Sequence, residues 1–174
     1  WEKKSQGLSR ETIQVLQAMS CVEEAATLDL LEHMVGTEGV DLALEPAIEA
    51  GILSVIAGVF PPVLEFRAVE DKSTLAGTVG PARRREFHTG AHKYYKARGD
   101  KAQALVHRAL GMSSHDESVA CELAEAAEGL GQAGRWKEAA DFYQLAAELS
   151  ATKEQQQQYE LYHLEALVAS SNIR

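Results

Sequence analysis

Asp41-Leu42-Ala43-Leu44-Glu45-Pro46-Ala47-Ile48-Glu49-Ala50-Gly51 runs straight into Ile52-Leu53-Ser54-Val55-Ile56, and Val63-Leu64-Glu65-Phe66 follows beyond Gly58 and Pro61-Pro62. The hydrophobic period changes at Gly51. Upstream, Leu44, Ala47 and Ile48 recur at helical spacing, and Pro46 should confine regular hydrogen bonding to the later part of that helix or bend it. Downstream, β-branched and aromatic segments separated by turn residues have the pattern of a β-hairpin.

Two further helices are expected ahead of this stretch. Leu8-Ser9 before Arg10-Glu11-Thr12-Ile13 is a helix start, with Ser9 as N-cap and Leu8 placed to staple onto Ile13, and Leu16 and Met19 continue the apolar face. A second helix should run from about Ala25 to Val35, with Leu28, Leu31 and Val35 inward and Gly36 as its left-handed C-terminal residue. Three short helices followed by a hairpin is the winged-helix order, in which the third helix reads DNA in transcription factors. Here that helix is acidic. Between Arg10 and Arg67 there is no Lys or Arg, while Glu11, Glu23, Glu24, Asp29, Glu32, Glu38, Asp41, Glu45, Glu49 and Glu65 all lie there. Such a surface cannot neutralise several phosphates, and the formal net charge of −9 points the same way. The unit is expected to pack against other domains and to bind no nucleic acid.

From Pro81 onward the pattern is helical and Ala-rich, with Pro81 suited to a first helical turn and Gly99-Asp100, Gly111 and Gly134 marking turns. Gly99 and Gly134 are each followed five residues later by Ala, Ala104 and Ala139, an offset of 35 residues. A period near ~34 is that of a tetratricopeptide helix pair. Counted from Ala120, Leu123, Leu130, Gly134, Trp136, Ala139, Tyr143 and Ala146 fall on the pattern's positions, whereas Ala126-Ala127 replaces Leu-Gly and Ala151 replaces the closing Pro. Upstream, Tyr95, Gly99 and Ala104 fit a weaker copy, but Arg108 and Gly111 do not. Thr152 to Asn172, with Leu161, Leu164 and Val168, would open a third unit. The expected class is therefore mostly α: a winged-helix-like domain with a small β-hairpin over residues 1–80, then an incomplete array of tetratricopeptide-like repeats over 81–174.

Cys21 and Cys121 share no metal-ligand spacing and sit in apolar, helix-favouring sequence, so they read as buried thiols of a reducing compartment rather than, as the alternative, a disulfide. No apolar run reaches the ~18 residues of a membrane span, and Trp1-Glu2-Lys3-Lys4-Ser5 lacks the apolar core of a signal peptide. A cytoplasmic protein is expected, and the start at Trp1 suggests a piece of a longer polypeptide.

The run from Gly7-Leu8-Ser9 through Leu44-Glu45-Pro46-Ala47-Ile48-Glu49-Ala50-Gly51-Ile52-Leu53, then Phe66-Arg67 and Pro81-Ala82-Arg83-Arg84-Arg85-Glu86-Phe87-His88, resembles the region after the nucleotide-binding module in large ATP-dependent transcriptional regulators. These are the LuxR-type regulators related to the maltose regulon activator, members of the STAND ATPases. Ala104-Leu105-Val106-His107-Arg108-Ala109-Leu110 and the repeat around Trp136 are similar to that family's helical arm. The resemblance implies a middle fragment between a P-loop ATPase and a helix-turn-helix domain, with ATP bound by the missing N-terminal part and no cofactor here. The chain itself has no G-x-x-x-x-G-K-[ST]. Where the family's hairpin strand continues as Phe-Arg-His, with a histidine similar to one that contacts ADP in related switch proteins, this sequence has Phe66-Arg67-Ala68, so that role is not carried over.

Among candidate sites, His88 and His92 are four apart on one helix, with His107 as a conceivable third ligand, but no HExxH glutamate or cysteine cluster accompanies them and no metal is expected. Arg83-Arg84-Arg85 can grip a phosphate or an acidic domain face, or form the solvated side of a helix; an intramolecular contact with the acidic preceding domain is one reading. Trp136 and Tyr143 are expected in the core of the repeat rather than in a ligand cage. The positions facing the concave side of a tetratricopeptide array are Ala124, Glu128 and Gln132, with Thr89, Lys93 and Lys96 from the weaker copy. Gln155-Gln156-Gln157-Gln158 is expected to be a solvated helix face.

No nucleophile has a neighbouring base motif and no carboxylate pair stands out, so an enzyme is not expected. The leading expectation is a non-catalytic signalling arm that couples an inducer, a protein partner, a neighbouring domain or self-association to an ATPase switch outside the chain. The alternative is a stand-alone tetratricopeptide adaptor.

Overall fold

The computed structural model describes residues 1, 4–22 and 25–171; Glu23, Glu24 and Asn172 of the sequence reading lie outside them. The fold is mostly α-helical, with a small unclosed β-hairpin followed by packed helices, consistent with a winged-helix-like and helical-repeat architecture. The chain divides into two compact units, Trp1–Arg98 and Gly99–Arg174. Among the described residues, no helix is long and apolar enough to cross a membrane.

The first unit contains α1 (Arg10–Ser20), β1 (Ala26–Thr27), α2 (Leu28–Val35), α3 (Val40–Glu49), β2 (Leu53–Ile56), β3 (Val63–Phe66), α4 (Val69–Thr78) and α5 (Pro81–Ala97). Ser9 caps α1 as expected, its hydroxyl accepting the Thr12 N–H at 3.0 Å. The hairpin pairs Leu53 with Phe66 and Val55 with Leu64. Its third neighbour was not legible in the sequence. Ala26 and Thr27, expected inside the second helix, instead pair with Leu64 and Val63 as a short antiparallel strand. Thr27 then becomes the N-cap of α2, accepting the Leu30 N–H at 3.3 Å. Leu30, Leu31 and Met34 form the buried face of α2, so Leu31 is inward as expected, while Leu28 and Val35 are only partly covered. Pro46 sits inside α3 without ending it.

Leu16, Met19, Leu31, Leu44, Ile52, Leu53, Leu75 and Phe87 are the large residues at the centre of this core. Helix α4, absent from the sequence reading, contributes Leu75 and the buried Asp71, whose carboxylate accepts a hydrogen bond from Lys4 Nζ at 2.8 Å. That bond is the main reason the Asp71 carboxyl is held below its ordinary pKa.

The expected division between residues 80 and 81 falls inside this unit. α5 packs along α2, and Phe87, Ala91 and Tyr94 are buried in the first core. The reason is the apolar face of α5: it matches α2, so the helix is not available as the first half of an upstream repeat.

The second unit is α6 (Lys101–Leu110), α7 (Glu117–Gln132), α8 (Trp136–Leu149) and α9 (Lys153–Ser171). α7 packs on α8 and α8 on α9. The interfaces are dominated by small residues, with Ala127, Ala139, Ala140, Ala146 and Ala166 buried around Val119 and Leu123. Small side chains let the helix axes approach closely, and Leu123 fills the remaining space.

Candidate interaction surfaces

In the first unit, α5 runs back along α2. Tyr94 Oη and Thr27 Oγ1 lie 3.2 Å apart at the start of α2, and the Arg98 guanidinium covers the Tyr94 ring at 4.1 Å while also pairing with Asp29. Near the other end of α2 the contact tightens onto bare backbone: a Cβ at Gly90 would stand 2.2 Å from the His33 carbonyl oxygen. α2 stops there, because Gly36 adopts φ 75° and turns the chain away.

Between this last turn of α2 and the first three turns of α5 lies an open groove of about 530 Å³. Residues 33–36 form one wall; Arg83, Arg85, Glu86, Thr89 and Lys93 form the other. Four of the residues expected at binding surfaces, Arg83, Arg85, Thr89 and Lys93, thus meet in one place, although the expected reason for Thr89 and Lys93 was a repeat that α5 does not form. Arg84 and Lys96 do not line the groove.

The arginine cluster makes no salt bridge to the acidic helices among the described residues. Arg83 pairs with Glu86 of its own helix at 2.7 Å and lies 4.9 Å from the centre of the Phe87 ring. Arg84 donates to the Ala76 carbonyl at 2.8 Å. Of the two readings, the contact with the acidic helices is not seen among the described residues: Asp41, Glu45 and Glu49 are exposed on α3 and unpaired with the cluster. Arg85, Lys93 and Lys96 have no ion-pair partner among the described residues. Thr89 Oγ1 donates to the Arg85 carbonyl at 2.8 Å and so tethers the middle of the groove wall.

In the second unit, Glu128 and Gln132 are exposed on α7, with Gln132 Nε2 donating to Glu128 Oε1 at 3.3 Å, and Ala124 is half-buried beneath them. Tyr143 and Tyr162 stack at a tilt with ring centres 5.4 Å apart. Burial pushes the Tyr143 phenol above its usual pKa, and the Glu128 carboxylate adds to this. Trp136 and Tyr143 pack against the core of this unit as expected, each partly rather than fully buried; the Trp136 indole lies over Gly131, where a Cβ would come 2.8 Å from Trp136 Cζ3. On α9, Leu161, Leu164 and Val168 are exposed, and a shallow apolar depression of about 460 Å³ lies against Leu164, Val168 and Ala169.

The remaining expected residues do not converge. His88 is buried in the first unit and His107 in the second, and among the described residues no group of three or more His, Cys, Asp or Glu is placed to hold a metal. Cys21 is half-buried, with its thiol pKa raised by burial, but Cys121 is exposed, contrary to the expectation, because it lies on the outer side of α7 four residues from Glu117. Its sulfur is 3.8 Å from the Tyr159 hydroxyl, whose pKa burial, aided by this contact, pushes up to about 12. Of the four glutamines expected on a solvated face, Gln156 to Gln158 are exposed and Gln155 is half-buried; Gln156 Nε2 donates to Glu160 at 2.9 Å.

Compared with family models, curated proteins and solved structures, the chain matches none.

Sequence reasoning missed Gly90, His33 and Met34, on which the groove is built. A glycine inside an otherwise helix-favouring stretch was the available signal, since it lowers helix stability and calls for a packing reason.

Proposed function

We propose that this chain is a non-catalytic interaction arm: a winged-helix-like unit joined to tetratricopeptide-like repeats, serving a multidomain transcriptional regulator of the ATP-dependent LuxR type. The observation that carries the interaction reading is the open stack in the second unit. Glu117 Oε2 accepts the Ala151 N–H at 3.1 Å, a bond between residues 34 apart. One repeat length separates the start of α7 from the turn into α9, so α9 stands where the first helix of the next pair belongs. Its exposed Leu161, Leu164 and Val168 then form the kind of face on which a following helix packs.

Buried Leu123, Ala139 and Ala146 further support the register counted from Ala120. Glu128 and Gln132, exposed together on α7, suit the concave, ligand-facing side of such an array. An inducer or partner that bound this arm better in one state of the switch would shift the equilibrium by its differential affinity alone.

The reading frame that encodes the chain tests the proposal. A phosphate loop ahead of residue 1 and a helix-turn-helix beyond residue 174 support the regulator arm. A frame with neither overturns it and leaves the adaptor.

A further inference from the structure

The groove of the first unit has an electrostatic character at odds with the rest of the chain. α5 carries Arg83, Arg84, Arg85, Lys93 and Lys96 against the single acid Glu86, in a protein of net charge −9. Two of these cations, Arg85 and Lys93, line the groove and have no ion-pair partner among the described residues. Between them the surface turns apolar, with Val35 on the α2 side and the bare backbone of Gly90 on the α5 side.

The spacing selects a ligand. Arg85 and Lys93 are eight residues apart on one helix, about 12 Å along its axis. In an extended chain, residues at alternate positions point to the same face, and residues four apart are separated by about 13 Å. We infer that this groove docks an acidic protein segment in extended conformation, with acidic, apolar and acidic side chains at alternate positions. The two carboxylates meet Arg85 and Lys93, and the apolar side chain sits on Val35 over Gly90. Glu86, already held by Arg83, limits the anionic charge the groove accepts and disfavours a polyanion that would approach both at once. The inference stands on the first unit alone and does not depend on the regulator reading.

The test uses the full chain and a fluorophore-labelled glycine-serine peptide carrying two glutamates four positions apart with a leucine midway, followed by anisotropy at low salt. Binding that saturates below about 1 mM is expected. It should weaken at least about tenfold in the Arg85→Glu/Lys93→Glu variant, while Lys101→Glu/Lys137→Glu, the same charge change on exposed residues of the second unit, should leave it within about twofold. Lys93→Gln, an exposed and mild change, should weaken binding about threefold even if the double reversal proves unstable. No saturation, or equal losses in the two charge-reversal pairs, would overturn the inference. So would displacement of the peptide by inorganic phosphate or a short oligothymidylate at equal concentration, which would mark a general anion site.

Discussion

The α-carbon of Gly90 packs directly against the last turn of α2, so that at this point α5 and α2 meet backbone to backbone: a Cβ at position 90 would lie 2.2 Å from the His33 carbonyl oxygen and 2.7 Å from Met34 Cα. Neither atom is the end of a flexible side chain. Gly90→Ala should therefore destabilise the first unit by about 1–2 kcal/mol, an overpacking cost of roughly 2–3 kcal/mol less the ~1 kcal/mol by which alanine is the better helix former. Urea unfolding measures it. A neutral or stabilising result would mean that the two helices are further apart than described.

Trp136 and Gly131 form the corresponding pair in the second unit, but here the crowded atoms belong to a side chain. Since the indole is half-covered, Trp136→Ala should cost about 2–3 kcal/mol, below the range for a fully buried aromatic, whereas Glu128→Ala and Gln132→Ala should stay within about 0.5 kcal/mol. Gly131→Ala should be destabilising in the parent and neutral or stabilising once Trp136 is alanine, a coupling that a double-mutant cycle reads directly. Independent, additive effects would show that the ring does not rest on Gly131.

The Lys4–Asp71 bond gives a pH signature. Because the folded-state pKa of Asp71 is lowered, its stabilising contribution is present above the ordinary carboxyl range near ~4 and is lost as pH falls through the depressed folded value. Asp71→Asn should thus be destabilising at neutral pH by about 1 kcal/mol, given that Lys4 is partly exposed. The gap between parent and variant should close as urea midpoints are followed down through acid pH. A gap independent of pH would assign the effect to packing rather than charge.

The chain should not bind adenine nucleotides. It has no phosphate loop. Calorimetric titration with ATP and ADP in magnesium buffer should show no saturable heat; a dissociation constant tighter than about 100 µM, or roughly −5.5 kcal/mol, would contradict the proposed division of labour.

Local chemistry was the part of this fold that the sequence determined by itself. Ser9 as a cap, Gly36 as a left-handed stop and the change of period at Gly51 each depend on a residue and its immediate neighbours, so α1, the end of α2, α3 and the hairpin were legible. Leu123 on α7 and Ala139 and Ala146 on α8 were legible as core for a similar reason: their places in a repeat pattern do not depend on what covers them. Arg83, Arg85, Thr89 and Lys93 were marked as surface candidates, yet on separate arguments that did not join them.

Tertiary structure decided what those residues face. Ala26-Thr27 became a strand because β3 presented an open edge some 37 residues away, a pairing that no local propensity encodes. α5 joined the first unit because α2 offered a matching face with room at Gly90, and this one docking event moved the boundary from residue 80 to residue 98. It also brought Thr89 and Lys93, expected on a repeat, and Arg85, expected in an arginine run, together as one wall of a groove. A helix pattern fixes which side of a helix must be buried; which partner buries it is chosen by long-range complementarity of shape, and that choice exists only in the folded chain.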